Sequence, residues 1–131
     1  MSGEDGHRVQ MRWRDLDGLG HVNHMVVLTY LEEGRDAFLK ARGIARDEYV
    51  VGRCSVSFQR EIDPSHNAVT VECELHDLGR SSILTRERIL DHRGEVAVEA
   101  QFDLVLWDPE RRASRPITEQ ERAALTSAKE A

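Results

Sequence analysis

The sequence contains little lysine, little cysteine and no long apolar run. The shortage of cysteine and the absence of a long apolar run each argue against a class of protein. Lys40 and Lys129 are the only lysines, so arginine supplies the other cations. Two cysteines, Cys54 and Cys73, are too few for a disulfide framework, which favours a reduced, cytoplasmic protein. No apolar run reaches the roughly 18–20 residues of a membrane span, and the polar start MSGEDGHR is not typical of a secretory signal. We therefore expect no membrane partner.

Charge and length narrow the class further. The formal net charge is −6, which argues against a nucleic-acid partner. Hydrophobic residues make up 40% of the chain and charged residues 32%, the balance of a folded globular protein. With 131 residues, the chain is predicted to form one domain over 1–131, with residues 1–6 as a loose tail. A domain of this length buries roughly two-thirds of its unfolded surface, so its core needs no disulfide or metal.

Two segments have the apolar spacing of a helix. From Asn23 onward, apolar residues recur every three or four positions, which predicts a helix over about 23–42. Asn23 is a suitable N-cap, and Gly43 stands where a helix would end. The capping-box pattern Thr118-x-x-Glu121 predicts a second helix over about 118–128.

Alternating apolar and polar residues predict strands on both sides of the long helix. The first strand, 7–14, places Val9, Met11 and Trp13 on one buried face. Four meandering antiparallel strands are predicted after the helix, at 49–62, 68–78, 82–91 and 95–107. This order of elements predicts an α+β fold in which the long helix packs on one face of a curved antiparallel sheet.

The segment between the first strand and the long helix, RDLDGLGHVNHM, gathers two aspartates, two histidines and an asparagine. A calcium loop starting at Asp15 would need an oxygen ligand at its fifth position and Glu at its twelfth, which are Leu19 and Val26. A zinc site could use His21 and His24, but structural zinc usually draws on cysteine, and none is near in sequence. We therefore expect no metal and no cofactor.

A carboxylate just before a helix start also suits catalysis. The first amides of a helix are unpaired and lie at the positive end of its dipole. A carbonyl oxygen bound to those amides would place its carbon next to Asp17, which could act as a general base or nucleophile. The alternative is that Asp17 only caps the same amides.

Several motifs together resemble the hotdog-fold acyl-CoA thioesterases of the 4-hydroxybenzoyl-CoA thioesterase type. The first is DxDxxGHVN over 15–23, followed on the helix by YLExxR over 30–35. Phe58-x-Arg60 follows the helix, LGRSS over 78–82 leads into a strand, and the long last strand ends at Trp107. The likeness covers nearly the whole chain.

The resemblance implies a hotdog fold, with about five strands wrapped around the central helix. It also implies a dimer with a continuous sheet, often paired again into a homotetramer, with active sites at the subunit boundary. The catalytic carboxylate falls on Asp17 and the oxyanion-binding amides on Asn23 and His24. Substrate contacts are expected from His21, Val27, Arg80, Ser81 and Ser82, with Arg80 as the main candidate for coenzyme A phosphates. The substrate would be an acyl-CoA or an acyl-carrier-protein thioester.

The sequence departs from the family pattern at two positions. The commonest form continues Asn-Asn-x-x-Tyr, whereas here His24 replaces the second Asn and Val27 replaces the Tyr. The family pattern therefore does not define which acyl group the substrate carries. A helical carboxylate, Glu32 or Glu33, could serve as the base instead, although such residues more often pair with an arginine such as Arg35 or Arg60.

Three other functions stay possible at this stage. An enoyl-thioester hydratase on the same fold would use His21 or His24 with an aspartate. A non-catalytic acyl-thioester-binding protein would keep the cleft without hydrolysis. A purely structural subunit is the third, and the intact carboxylate at Asp17 argues against it.

Overall fold

The computed structural model describes residues 6–16 and 22–130. Two helices and six strands follow each other along these residues: β1 His7–Gln10, α1 His24–Lys40, β2 Tyr49–Phe58, β3 Ala68–Leu78, β4 Ser82–Leu90, β5 Val96–Asp108, β6 Ala113–Ser114 and α2 Glu119–Glu130. Short 3-10 turns at Trp13–Asp15, Arg46–Glu48 and Pro64–His66 connect them. The predicted tail, 1–6, lies outside the described residues except for Gly6.

The strands form one antiparallel sheet in the order β1-β3-β4-β5-β2, with the short β6 added beside the end of β5. The predicted meander is therefore correct for β3, β4 and β5 and wrong for β2. β2 pairs with β5 from Tyr49↔Leu106 to Phe58↔Val98, and β1 takes the place beside β3. The chain after β2 crosses one end of the sheet through the Pro64–His66 turn before β3 begins.

The curved sheet wraps around α1, as the α+β prediction required. The helix buries one stripe at three- and four-residue steps, made of Val27, Tyr30, Leu31, Gly34, Arg35, Phe38 and Leu39. Gly34 is needed for this packing, because a Cβ built at that position would lie 2.7 Å from Cβ of Val71 on β3. The helix axis therefore lies close to β3, and any larger residue at Gly34 would push the two apart. The helix ends near Gly43, whose φ of +86° suits glycine.

The inner face of the sheet is apolar except on β4. In β3 and β5, alternate residues are buried as predicted, from Val69 to Leu75 and from Val98 to Leu106. In β4 the inward residues are Ile83, Thr85, Glu87 and Ile89. Because two of these four are polar, the alternation of β4 is hard to recognise in the sequence.

The predicted first strand is shorter than expected. β1 ends at Gln10, and the chain turns through Trp13–Asp15, so Trp13 leaves the strand pattern and is 85% exposed. Val9 and Met11 are buried as predicted. Among the described residues, no helix is both long and apolar enough to cross a membrane.

Candidate active site

The start of α1 is fixed by its own cap and by Asp15, the first aspartate of the motif. Asn23 is the N-cap, as predicted, and its side-chain Oδ1 accepts from the Met25 N–H at 2.8 Å. The Asn23 N–H donates to the Asp15 carbonyl at 2.7 Å. Within residues 6–16 and 22–130, the His24 N–H has no such acceptor. Of the two amides predicted to bind an oxyanion, that of Asn23 is therefore already used.

Asp15, the first aspartate of the motif, has a structural role. It is 5% exposed, and its Oδ2 accepts from the Tyr30 hydroxyl at 2.5 Å and from the Arg12 N–H at 2.9 Å. Tyr30 belongs to α1, so this contact ties the chain before the helix to its second turn. Leu16 forms an antiparallel bridge with Val22. The chain that leaves at Leu16 thus returns at a fixed position beside the helix start.

Asp17 and His21, two central residues of the predicted site, lie outside the described residues. Their assigned roles therefore stay predictions. Elsewhere in the described chain, no group of three or more His, Cys, Asp or Glu side chains is placed to hold a metal ion.

A small cleft lies directly beside the helix start. It has a volume of about 70 Å³ and combines apolar walls with a polar rim. Its lining residues are Val22, His24, Val27, Phe58, Arg60, Glu61, Ile62 and Val98. The two positions at which the sequence departs from the family pattern, His24 and Val27, therefore meet in the same cleft.

The His24 ring is held by an aromatic neighbour. It stacks on Phe58 at the end of β2, with ring centroids 4.3 Å apart and an angle of 21° between the planes. Phe58 is 43% exposed, so the pair forms one open side of the cleft. None of the aspartates that the structure describes forms a hydrogen bond with His24, so the His–Asp pair that a hydratase needs is not found among them.

One helical carboxylate pairs with an arginine, as the sequence suggested, but the arginine is Arg12 and not Arg35 or Arg60. Glu33 forms an ion pair with Arg12 at 3.1 Å, whereas Arg60 pairs with Glu95 at 2.8 Å. Glu32 is exposed and lines a groove of about 280 Å³ between α1 and the free edge of β2.

Arg35 pairs with Glu87 on β4, which lies 52 residues away in the sequence. Their two hydrogen bonds measure 2.9 and 3.1 Å. Thr85 donates a further hydrogen bond to Glu87 at 2.7 Å, and the guanidinium carbon of Arg35 lies 3.8 Å from the centre of the Phe102 ring. Burial lowers the pKa of Arg35, but the hydrogen bonds and charge of Glu87 outweigh this effect and raise the pKa overall. The pair is a buried support for the helix, away from the cleft.

The GRSS turn, Gly79–Ser82, lies at the opposite end of the sheet. Ser82 pairs with Val105 on β5, whereas the cleft reaches β5 at Val98. Seven residues of extended strand separate these positions, a distance of roughly 23 Å at about 3.3 Å per residue. One protomer therefore does not bring Arg80, Ser81 and Ser82 together with His24 and Val27.

Comparison with known proteins adds the family. Residues 11–125 match the model of the thioesterase-like superfamily. A thioesterase from Thermus thermophilus, solved in complex with coenzyme A and Zn, is 30% identical to this chain. Its TM-score is 0.83, and the match covers 96% of this chain and 94% of that one. A search of curated proteins gave no significant match.

More distant structures share the fold. DHNA-CoA thioesterase from Staphylococcus aureus is 15% identical, with a TM-score of 0.79 over 93% of this chain and 88% of that one. Another Staphylococcus aureus protein, in complex with CoA, is 10% identical, with a TM-score of 0.84 over 95% and 83%. A family match of this extent, on a sheet curled around one helix, identifies the chain as a hotdog-fold member of the thioesterase-like superfamily, whose general chemistry is thioester hydrolysis.

Proposed function

We propose that this protein hydrolyses acyl-CoA thioesters with Asp17 as its catalytic carboxylate. The observation that carries the proposal is the set of contacts by which Asp15, Leu16 and Val22 fix the chain beside the cleft. The Asp15 carboxylate is hydrogen-bonded to Tyr30 and Arg12, so Asp17 is the carboxylate of the motif that is available for catalysis. The chain returns through the Leu16–Val22 bridge to a helix whose first amide, that of His24, has no acceptor within the described chain.

In this mechanism the thioester carbonyl oxygen accepts the His24 N–H, and the helix dipole adds to the polarisation. Asp17 either removes a proton from water, whose oxygen attacks the carbonyl carbon, or attacks that carbon itself. The C–S bond then breaks, and the coenzyme A sulfur leaves as thiolate and takes up a proton to give the free thiol. In the first route the carboxylic acid forms directly. In the second route the acyl group is left on Asp17 as an anhydride, which water hydrolyses to release the carboxylic acid and regenerate the Asp17 carboxylate. A thiolate is a weaker base and a better leaving group than an alkoxide, so protonation by His24 is not required.

Val27 and the His24–Phe58 pair form the wall against which the acyl group would lie. His21 is the remaining predicted substrate contact near the helix start. The cleft of about 70 Å³ is far below the roughly 300 Å³ of a complete ligand site, so we propose that a second protomer completes it.

A second protomer also explains the distance between the two halves of the predicted site. β2 is an edge strand with a free side, and Val50, Val51 and Phe58 on it are 39%, 46% and 43% exposed. Antiparallel pairing of two β2 strands would place the Phe58 end of one beside the Val50 end of the other. The cleft of one protomer would then face the GRSS turn of its partner, where Arg80, Ser81 and Ser82 would bind the coenzyme A phosphates. Structures of two similar proteins contain coenzyme A, which supports this class of substrate.

The test replaces Asp17 by Asn and follows thiol release from short, long and aromatic acyl-CoAs. We expect a loss of about 10²- to 10⁴-fold in kcat, because general-base help contributes that much, with the melting temperature unchanged. Asp47→Asn, an exposed aspartate in the Arg46–Glu48 turn, is the matched control and should keep full activity. Wild-type turnover by the Asp17 variant would remove Asp17 from the mechanism. Tight binding of acyl-CoA without thiol release in the unaltered protein would support the non-catalytic alternative.

The single-domain organisation over 1–131, the cytoplasmic location and the step from dimer to homotetramer stay sequence-based predictions. An acyl-carrier-protein thioester is the alternative substrate, since it presents the same pantetheine arm. A parallel assay with acyl-pantetheine would reveal whether the nucleotide part of coenzyme A contributes to recognition.

A further inference from the structure

The GRSS turn is held by its carbonyl groups, all from one side of the molecule. The Gly79 carbonyl accepts from Arg122 Nη2 at 2.9 Å, and the Arg80 carbonyl accepts from the Ile117 N–H at 2.9 Å. The Ser81 carbonyl accepts from the Leu106 N–H at 2.8 Å. Three consecutive acceptors therefore point towards the end of β5 and the C-terminal helix α2.

The Gly79 N–H donates to the Ser82 carbonyl at 2.9 Å, but the two donors between them are left for another partner. Within the described chain, neither the Arg80 N–H nor the Ser81 N–H has an acceptor. The Arg80 side chain is exposed, and Ser81 and Ser82 are partly exposed. A turn that directs its carbonyls inward and its N–H, hydroxyl and guanidinium groups elsewhere is suited to an anion. Gly79 permits the arrangement, because a Cβ there would meet the Ser82 hydroxyl.

Arg122 is the only side chain among the three groups that hold these carbonyls. It lies in α2, directly after Glu121, which forms a capping box with Thr118 through two hydrogen bonds of 3.0 and 3.1 Å. Leu125, three residues further, is fully buried and anchors the same helix. Arg122 therefore reaches Gly79 from a fixed helix, across 43 residues of sequence.

We infer that Arg122 is a positioning residue for coenzyme A recognition, which makes the C-terminal helix part of the substrate-binding apparatus. The inference rests on the proposed function, in which the GRSS turn receives the coenzyme A phosphates. By binding the Gly79 carbonyl, Arg122 fixes the orientation of the N–H groups of Arg80 and Ser81, which follow Gly79 in the turn. We assign Arg122 to positioning the turn, because its Nη2 donates to the Gly79 carbonyl.

The first experiment compares two substrates in Arg122→Gln. The lost hydrogen bond weakens phosphate binding equally in the ground state and the transition state, so KM rises while kcat is kept. We expect KM for acyl-CoA to rise about 3- to 10-fold, the range of one hydrogen bond to a charged group in a partly exposed setting. KM for the matching acyl-pantetheine, which has no nucleotide, should not change. Arg122→Lys keeps a cationic donor and should recover part of the loss.

Arg93→Gln is the matched control, because Arg93 is exposed and lies in the turn at the far end of β4. It removes the same charge without contact with the GRSS turn and should leave both KM values unchanged. Equal losses for acyl-CoA and acyl-pantetheine in Arg122→Gln would overturn the inference, since a merely structural defect lowers activity towards both. An unchanged KM for acyl-CoA would also overturn it.

A binding measurement separates this inference from the catalytic proposal. Calorimetry with adenosine 3′,5′-bisphosphate, the nucleotide part of coenzyme A, needs no turnover. We expect the unaltered protein and Asp17→Asn to bind it equally and Arg122→Gln to bind it about 3- to 10-fold more weakly. If Asp17→Asn kept full hydrolysis, the catalytic assignment would fail while the binding result still stood. Equal binding by Arg122→Gln and the unaltered protein would reject the positioning role alone.

Discussion

Asp15 and Asp17 stand two positions apart in one motif, yet Asp15 is committed to structure. Its carboxylate accepts the Tyr30 hydroxyl at 2.5 Å inside the protein. Burial raises the pKa of the Tyr30 hydroxyl, and the hydrogen bond and charge of Asp15 raise it further. The hydroxyl therefore stays protonated and donates to Asp15 at neutral pH, and the contact joins the chain before the helix to the helix itself.

Removal of the Tyr30 hydroxyl tests this contact. Tyr30→Phe should lose about 1–3 kcal/mol of unfolding free energy, because it leaves a buried carboxylate with one donor fewer. We also expect kcat for acyl-CoA to fall about 10-fold or more, since a small displacement of the segment that carries Asp17 spoils its alignment. Urea unfolding and thiol release measure the two effects.

The control is a second tyrosine with the same kind of contact outside the cleft. Tyr49 donates to Asp36 at 2.6 Å, and burial and Asp36 likewise raise the pKa of its hydroxyl. Tyr49→Phe should lower stability and leave kcat unchanged. If both variants reduced kcat to the same extent, the effect would be general loosening, and the role of Tyr30 as a clamp for the site would be rejected.

At the scale of elements, the C-terminal helix begins with a reciprocal cap that also carries an ion pair. Glu121 accepts from the Thr118 N–H, and its carboxylate forms two hydrogen bonds of 2.9 Å with Arg115. Burial raises the pKa of Glu121, but the Arg115 and Thr118 hydrogen bonds outweigh it, so the pKa lies below its ordinary value. The charged form of Glu121 therefore stabilises the folded state.

The sign of this shift gives a pH-dependent prediction. Glu121→Gln keeps an oxygen for the cap and removes the charge, and we expect it to cost about 1 kcal/mol near pH 7, discounted for partial exposure. The stabilising effect of Glu121 is fully present above its ordinary pKa of 4.5 and declines as the pH falls through the lower folded value. The difference in unfolding free energy between the two proteins should thus shrink from pH 6 to pH 3. A constant or growing difference on acidification would contradict the assignment.

The sequence predicted the long helix well because periodicity and caps are local properties. The N-cap at Asn23, the end near Gly43 and the capping box at Thr118 all occur where their spacing placed them. The inward face of β4 was harder, because Glu87 reads as a solvent-facing residue until its partner is known. That partner, Arg35, lies 52 residues earlier and is brought to it only by the packing of helix on sheet.

At the scale of the whole molecule, the free edge of β2 is the clearest sign of assembly. Val51 and Cys54 of β2 line an open groove together with Leu28 of the helix and Phe102 of β5. An unpaired edge of ten residues with exposed valines would promote nonspecific association if it stayed uncovered. The pairing with a second copy that we propose would cover this edge and complete the site.

A charge on this edge should therefore separate the protomers. Val51→Lys is expected to shift the protein from dimer to monomer in sedimentation velocity and to reduce hydrolysis at the same concentration. Thr126→Lys, an equal change on an exposed position of α2, should do neither. A dimer that survives the Val51 substitution would place the interface elsewhere, and a fully active monomer would show that one protomer suffices.

Local sequence patterns could not predict the order of the strands in the sheet or the distance between the two halves of the predicted site. Consecutive strands usually pair, and β2 departs from this rule because the chain crosses the end of the sheet before β3. For the same reason, spacing along the chain gave no hint that His24 would stack on Phe58 or that Arg122 would reach Gly79. The resemblance supplied the residues of both halves of the site, but their separation by most of a strand follows only from the register of β5.

The bridge between Leu16 and Val22, together with the hydrogen bond from Asn23 to Asp15, brings the two ends of the segment 17–21 together beside the start of α1. We therefore expect the contacts at the two ends to hold the chain in place when the residues between them are exchanged. Substitutions within 17–21 should alter reactivity while the melting temperature stays nearly constant, so related proteins could acquire different chemistries on an unchanged frame. For laboratory evolution, this short stretch is the economical place to randomise first.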